Sequence, residues 1–265
     1  MWDPAYLTRE GLLALQASST SGRPELFAVK NDAKPPRTDQ FSLGLRQRIG
    51  RDWSASVTGS YIRGTNGYTH YFGNRANGGT GGCCDGSLTA PLGYSNILIG
   101  VDDLKTRYKA LYLTLDKNYT AASGWGLNIA YTLQKAEQNG GDLFSLDKYT
   151  AADYGFRDKA GVERHALVVS GLVDLPWGVK FSTLTKLGTG AAYQVFNANQ
   201  APFFDPVTNR IYGQFPKKNC LGFLARCEVD ITFEKEFGIM RGHTLSLAAD
   251  VFNLFNNKNY AGFNG

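Results

Sequence analysis

From Thr38 onward, apolar and polar residues alternate with a period of two. Phe41, Leu43 and Leu45 share one parity, while Ser42, Gly44, Arg46 and Arg48 share the other. Trp53, Ala55, Val57, Gly59 and Tyr61 then alternate with Ser54, Ser56, Thr58 and Ser60. Leu111, Leu113 and Leu115 alternate with Tyr112, Thr114 and Asp116, and Trp125, Leu127, Ile129, Tyr131 and Leu133 with Asn128, Ala130, Thr132 and Gln134. Successive side chains of a strand point to opposite faces, so each segment is a ribbon with one greasy and one wettable side. The stretch Leu167–Leu175 is weaker, because Val168 and Leu172 fall on the side expected to be polar. Residues 1–37 lack the alternation: they hold one predicted helix, Leu7 to Gln16, followed by the breakers Ser18 to Gly22 and Pro35-Pro36.

The connections between ribbons come in two lengths. Gly50-Arg51-Asp52, Tyr119 to Gly124, Pro176-Trp177-Gly178 and Gly238 to Gly242 are short, whereas roughly 65–104, 138–163 and 188–226 are long. Short and long alternate, which predicts an antiparallel up-and-down sheet with tight turns at one rim and long loops at the other. Bacterial outer-membrane barrels are built this way, with short periplasmic turns and long extracellular loops.

The ribbon from Glu228 to Glu236 decides between water on one side and water on both. Glu228, Asp230, Glu234 and Glu236 lie on one face, and Val229, Ile231, Phe233 and Phe237 on the other. Four carboxylates cannot enter a dry core without a large desolvation cost, so one face meets water and the other something apolar. Trp53, Trp125 and Trp177 stand beside short turns, with Tyr119 and Phe237 at similar points; Tyr61, Tyr131, Tyr193, Phe255 and Tyr260 stand toward the long loops. Two such aromatic levels match the two membrane–water boundaries.

Composition narrows the alternatives. Mean hydropathy is slightly negative, which a barrel tolerates because only every second residue meets lipid. With 31 glycines, 14 tyrosines and 16 phenylalanines the chain favours turns and strands. A net charge of +5, without a run of basic residues, argues against a nucleic-acid partner. No run reaches the eighteen or so apolar residues of a spanning helix.

Catalytic chemistry finds no footing: there is neither G-x-S-x-G nor H-E-x-x-H. His70, His165 and His243 are far apart, and Cys83-Cys84 with Cys220 and Cys227 lack metal spacing, so no cofactor and no metal site is expected. Cys220 and Cys227 are spaced to close a small loop in an oxidising compartment, while Cys83-Cys84 read as two loop thiols. Asp102-Asp103 and the Asp142–Asp147 loop read as solvated charge, and Asn118-Tyr119-Thr120, a glycosylation-type triplet, falls in a tight turn. Gly78 to Gly82 lacks the Lys and hydroxyl of a phosphate loop. Ligand contact is left to the long loops, where Tyr68, Tyr71 and Phe72 offer rings for stacking on a sugar or chelate.

Thr38-Asp39-Gln40-Phe41-Ser42-Leu43-Gly44-Leu45, Arg164-His165-Ala166-Leu167-Val168-Val169-Ser170-Gly171-Leu172 and Leu247-Ala248-Ala249-Asp250-Val251-Phe252-Asn253-Leu254-Phe255-Asn256 together resemble TonB-dependent outer-membrane receptors, in the style of their Oar-like branch. The resemblance covers about 38–260 and is strongest in the last of these stretches. It implies a 22-stranded, plugged barrel in the outer membrane of a Gram-negative-type bacterium, of which about eight strands lie here. It also implies partners: membrane lipid, a plug domain, the TonB–ExbB–ExbD complex and a scarce extracellular solute of siderophore, cobalamin or oligosaccharide type, moved without covalent chemistry. Met1-Trp2-Asp3-Pro4 does not open like a secretory leader, and Asn264-Gly265 ends in loop material. The expectation is therefore a loop piece over 1–37 and a partial barrel over 38–265, with signal peptide, plug and last strand outside the chain. Two rival readings are a passive porin or adhesive barrel, and a soluble carbohydrate-binding sheet whose greasy faces pack on each other.

Overall fold

The computed structural model describes residues 8–18, 24–74, 94–140, 155–196, 210–214, 216–218 and 220–260. One helix, α1 (Arg9–Ser18), precedes the strands. It starts two residues later than the hydrophobic spacing predicts, because the Thr8 hydroxyl accepts the Gly11 amide at 3.0 Å and caps the first turn. The described strands are β1 (Leu26–Val29), β2 (Arg37–Ile49), β3 (Trp53–Phe72), β4 (Ile97–Thr120), β5 (Trp125–Gln138), β6 (Arg157–Asp158), β7 (His165–Leu175), β8 (Val179–Gly188), β9 (Tyr193–Phe196), β10 (Arg210–Gln214), β11 (Arg226–Ile239) and β12 (His243–Val251).

One antiparallel wall runs β2-β3-β4-β5-β7-β8-β11-β12, each strand bonded to its neighbours along the chain or across a long connection. The register joins equal parities. Val57 pairs with Leu113, which pairs with Tyr131, then Leu167 and Leu187; one step along, Ser56 pairs with Thr114, Ala130, Val168, Lys186 and Glu228. Every face assigned from alternation is thus continuous across the wall.

No second layer covers the apolar side among the described residues. Val57, Tyr61, Leu113, Leu133 and Phe233 all count among the exposed large hydrophobics, Leu113 at 38%, and Leu43 on β2 reaches 84%. Ser56, Thr114 and Ala130 on the opposite face are half-buried. Side chains inside a curved sheet crowd together and those outside spread apart, so the wall curls around its polar face. A water-soluble sandwich has the reverse arrangement. Among the described residues no helix is long and apolar enough to cross a membrane.

The short rim follows the chain's turn residues. Gly50, Gly124, Gly178 and Gly242 all take the left-handed φ that reverses a ribbon, and Trp177 at φ 64° makes the same bend inside the short 3-10 turn Pro176–Gly178. Trp53 and Trp125 meet edge to face with ring centroids 5.8 Å apart. Beside them Lys117, although on the lipid-facing parity, is only 6% exposed. Its ammonium turns back to the Trp125 carbonyl at 2.7 Å and the Ser123 hydroxyl at 2.8 Å, and lies 4.3 Å from the Trp125 ring centre. A cation can occupy the apolar side at this level because turn carbonyls and a ring face replace its water.

The long-loop rim is more structured than the alternation predicts. β3 and β4 continue to Phe72 and from Ile97, past register shifts between Gly64, Gly67 and Thr69. Beyond the shifts, where β5 has ended, β1 takes its place along β4 as a parallel partner, Leu26 opposite Ile97 through Val29 opposite Gly100. β6 caps β5 at Glu137 and Gln138, and β9 and β10 form a separate hairpin.

The two faces differ in what a charge costs. Leu113→Arg, on the lipid side, is expected to destabilise the vesicle-inserted barrel by about 2–4 kcal/mol, whereas Thr232→Arg, facing Asp250, is expected to change stability by less than about 1 kcal/mol. Denaturant titration in vesicles measures both, and equal losses would reject the assignment of faces.

Candidate functional site

The polar face carries several separate groups of hydrogen bonds. Ser54 donates to Asp116 at 3.5 Å, Asn128 bonds the other Asp116 oxygen, and Arg46 reaches the Ser54 hydroxyl at 3.4 Å. Tyr108 meets the Tyr112 hydroxyl at 2.8 Å and donates to Gln134 at 2.7 Å. Lys186 pairs with Glu228 at 2.9 Å, Thr232 donates to Asp250 at 2.6 Å, Ser246 to Glu234 at 2.6 Å, and the Asn253 amide to Asp230 at 2.8 Å. The carboxylates singled out on β11 and β12 therefore share one water-accessible surface, as alternation predicts. Glu228, Asp230, Glu234 and Asp250 are held by one lysine, a backbone amide and two hydroxyls, and charges of one sign in this number belong beside water.

That surface has one apolar interruption. Leu172 and Leu184, with Phe252, line an open hollow of about 630 Å³ between Asp116 and Asn128 on one side and Asp230 and Thr232 on the other. The weak alternation of β7 thus has a structural counterpart: a greasy stripe on the hydrated face.

At the long-loop rim the three rings proposed for stacking have different surroundings. Tyr71 and Phe72 are each 6% exposed, Tyr71 packing on Val101. Tyr68 is 37% exposed. Its ring lies roughly perpendicular to His70 with centroids 4.9 Å apart, its hydroxyl is 3.2 Å from His70 Nε2, and Phe27 of β1 also stands perpendicular to His70, at 5.6 Å. Gly100 makes room, since a methyl there would overlap the Tyr68 ring. Of the three rings, only that of Tyr68 is accessible to a ligand. His70 and Phe27 were not singled out from sequence; their positions depend on the β1–β4 pairing, which alternation does not announce.

β1 is tied down by charge. Asp102 accepts the Lys34 amide at 2.9 Å and faces the Lys30 ammonium at 3.6 Å. The amide hydrogen bond, aided by Lys30, holds the Asp102 carboxyl below its ordinary pKa against a smaller opposing effect of burial. Asp102 is thus a structural anchor. Among the described residues no group of three or more His, Cys, Asp or Glu could hold a metal ion. The Asp142–Asp147 loop, Gly78 to Gly82 and Cys83-Cys84 lie outside the described residues. His165 bonds Tyr131 at 2.8 Å on the wall itself. Cys220 and Cys227 form a disulfide, which closes the loop leading into β11.

The sequence of residues 4–191 matches the family model described as outer membrane beta barrel domain. The chain belongs to that family. No curated protein matches it. Among solved structures the barrel domain is similar to the outer membrane transporter YddB from Escherichia coli, with 14% identity and a TM-score of 0.59, over 92% of this chain and 32% of that one. It is also similar to the FrpB iron transporter from Neisseria meningitidis, with 12% identity and a TM-score of 0.51, over 87% and 29%. At these identities the likeness is one of fold, and this chain spans about a third of either transporter. The barrel domain resides in the outer membrane, long loops outward.

Two outcomes test the rim. A lowered folded-state pKa means that the Asp102 tether is complete above the usual carboxylate range and is lost as pH falls through and below it. Hydrogen-exchange protection of residues 26–34, corrected for intrinsic rates, is expected to fall as pH drops from about 5 to about 3, and Asp102→Asn to be poorly protected even at neutral pH. Replacing Cys220 and Cys227 together by Ala is expected to cost about 2–3 kcal/mol, read as raised protease sensitivity of the Cys220–Cys227 loop.

Proposed function

We propose that this barrel domain is part of the wall of a TonB-dependent receptor of the Oar-like kind, which takes up a scarce solute through the outer membrane. The observation that carries this reading is the composition of the inner face. It is hydrated and charged along β2–β4 and β11–β12, yet interrupted by the Leu172–Leu184–Phe252 hollow. A permanently open aqueous pore gains nothing from an apolar stripe. A wall that packs against a folded plug does, because the plug covers the stripe while the surrounding carboxylates and hydroxyls hydrogen-bond to it. The likeness to outer-membrane transporters across nearly the whole chain supports the same reading.

In this mechanism the plug is pulled by TonB with inner-membrane energy, and the wall supplies a rigid hydrated surface along which it rearranges. The accessible Tyr68 ring, beside the long loops, belongs to the outward vestibule where the solute is first held. An iron chelate, cobalamin or an oligosaccharide all suit a loop surface of this kind.

Deletion of the gene is expected to abolish growth on one class of these solutes supplied at limiting concentration, and deletion of TonB to abolish it equally. Solute accumulation in the two strains and the parent measures this. Uptake that persists without TonB and falls with solute size would establish a passive pore instead.

A further inference from the structure

On the inner face, between the hollow and the long loops, runs a band without charge. Its upper level is that of Tyr108, which pairs with Ile62 and Ala136, and its lower level is that of Tyr112, which pairs with Thr58 and Thr132. Between these levels no residue of inner parity on β2, β3, β4 or β5 is charged. Charges stand at its margins: Arg46 one level below on β2, Lys159 beside Ala136, and Glu163 facing Arg226 at 3.4 Å on the β7 side. Within the band the hydroxyls of Ser42, Thr58, Ser60 and Thr132 have no hydrogen-bond partner among the described residues. Gly44 leaves that of Thr58 uncovered, since a Cβ there would stand 2.6 Å from the Thr58 oxygen.

At the centre is a chain of hydrogen bonds whose direction is set from one end. The Glu163 carbonyl can only accept, so it meets the amide nitrogen of Gln134, at 2.9 Å, and the amide oxygen of Gln134 is left facing Tyr108 at 2.7 Å. Tyr108 therefore donates to Gln134. With that proton committed, the donor in the 2.8 Å contact between the two tyrosines is Tyr112. The Tyr112 oxygen is left with lone pairs and no proton to give. A group that docks on it must donate.

Hydroxyls free to turn either way, beside an oxygen that only accepts, suit a solute that brings hydrogen-bond donors and no charge. An anionic iron chelate would find no cation within the band to replace its water. We propose that the solute taken up is a neutral oligosaccharide and that this band holds it, one sugar hydroxyl donating to Tyr112 while others exchange hydrogen bonds with Thr58, Ser60 and Thr132. This names the solute class of the uptake reading above and rests on it. The level of Tyr112 is two levels nearer the long loops than that of Asp116 and Asn128, which border the hollow. A solute arriving from outside therefore reaches the band first.

Purified full-length protein in detergent, equilibrated with neutral oligosaccharides from partial hydrolysis of plant and bacterial polysaccharides, tests this, with the retained species identified by mass spectrometry. A ferric catecholate chelate and cyanocobalamin are run beside the pool. So is the pool after permethylation, which keeps the sugar oxygens and removes every hydroxyl donor. Retention of a neutral oligosaccharide is expected, and none of its permethylated form. Tyr112→Phe, which keeps the ring and removes the accepting oxygen, is expected to weaken binding of the retained sugar about fivefold. The heat-dependent gel shift of a folded barrel confirms that the variant is intact. Preferential retention of the chelate or of cobalamin, no retention from the pool, equal retention of the permethylated sugars, or undiminished binding by the folded variant would each overturn the proposal. Binding needs no TonB, so these outcomes are separate from uptake that persists without TonB, which would overturn the uptake reading alone.

Discussion

The structure depends on backbone pairing in a medium that offers no water. Within hydrocarbon each N–H and C=O must find its partner inside the protein, and the wall from β2 to β12 meets this with eight antiparallel strands paired side by side. The ladder fixes the pleat, the pleat fixes which residues look outward, and the outward residues are therefore apolar. Among the described residues β2 and β12 form the two edges of the wall, where no further strand is paired. The chain covers about a third of the transporters it resembles in fold.

Where charges stand on the apolar side, they do so only at the two boundaries, and each boundary solves the problem differently. Near the short turns Lys117 folds back onto carbonyls and the Trp125 ring. Near the long loops Arg107 and Lys135 pair with Glu137, Lys135 also reaches Asp158, and Arg63 and Lys109 stay exposed beside them. The first arrangement is self-contained, and the second is left open to its surroundings. On the inner face, by contrast, Asp116, Glu228, Asp230, Glu234 and Asp250 each find a partner on the protein itself, and the Leu172–Leu184 stripe interrupts that surface.

Much of this was legible in the sequence, because a period of two allows no compromise: a slip of one residue would turn Leu113 inward and Thr114 outward. The tight turns, the tryptophan level and the acidic face of β11 follow directly from it. The rim was not legible for equally physical reasons. The register shifts between Gly64 and Thr69 break the alternation just where β3 and β4 continue. β1 is four residues long and pairs in parallel with a strand some seventy residues away, so no local pattern marks it. Tyr71 and Phe72 look like loop aromatics until the extended β3–β4 pairing buries them. Composition cannot distinguish a ring that packs from one that waits for a ligand. The cation cluster was hidden for another reason: its members are separated in sequence and become neighbours only once the register is known.

The bond between Cys220 and Cys227 joins residues close in the chain, one on the approach to β11 and the other at its start. A crosslink between remote strands would knot the chain and dictate which hairpins had to enter the membrane as a unit. A local one forms as soon as the segment reaches an oxidising compartment and leaves the order of hairpin addition unconstrained. The covalent stiffening of the mouth is thereby decoupled from assembly of the wall.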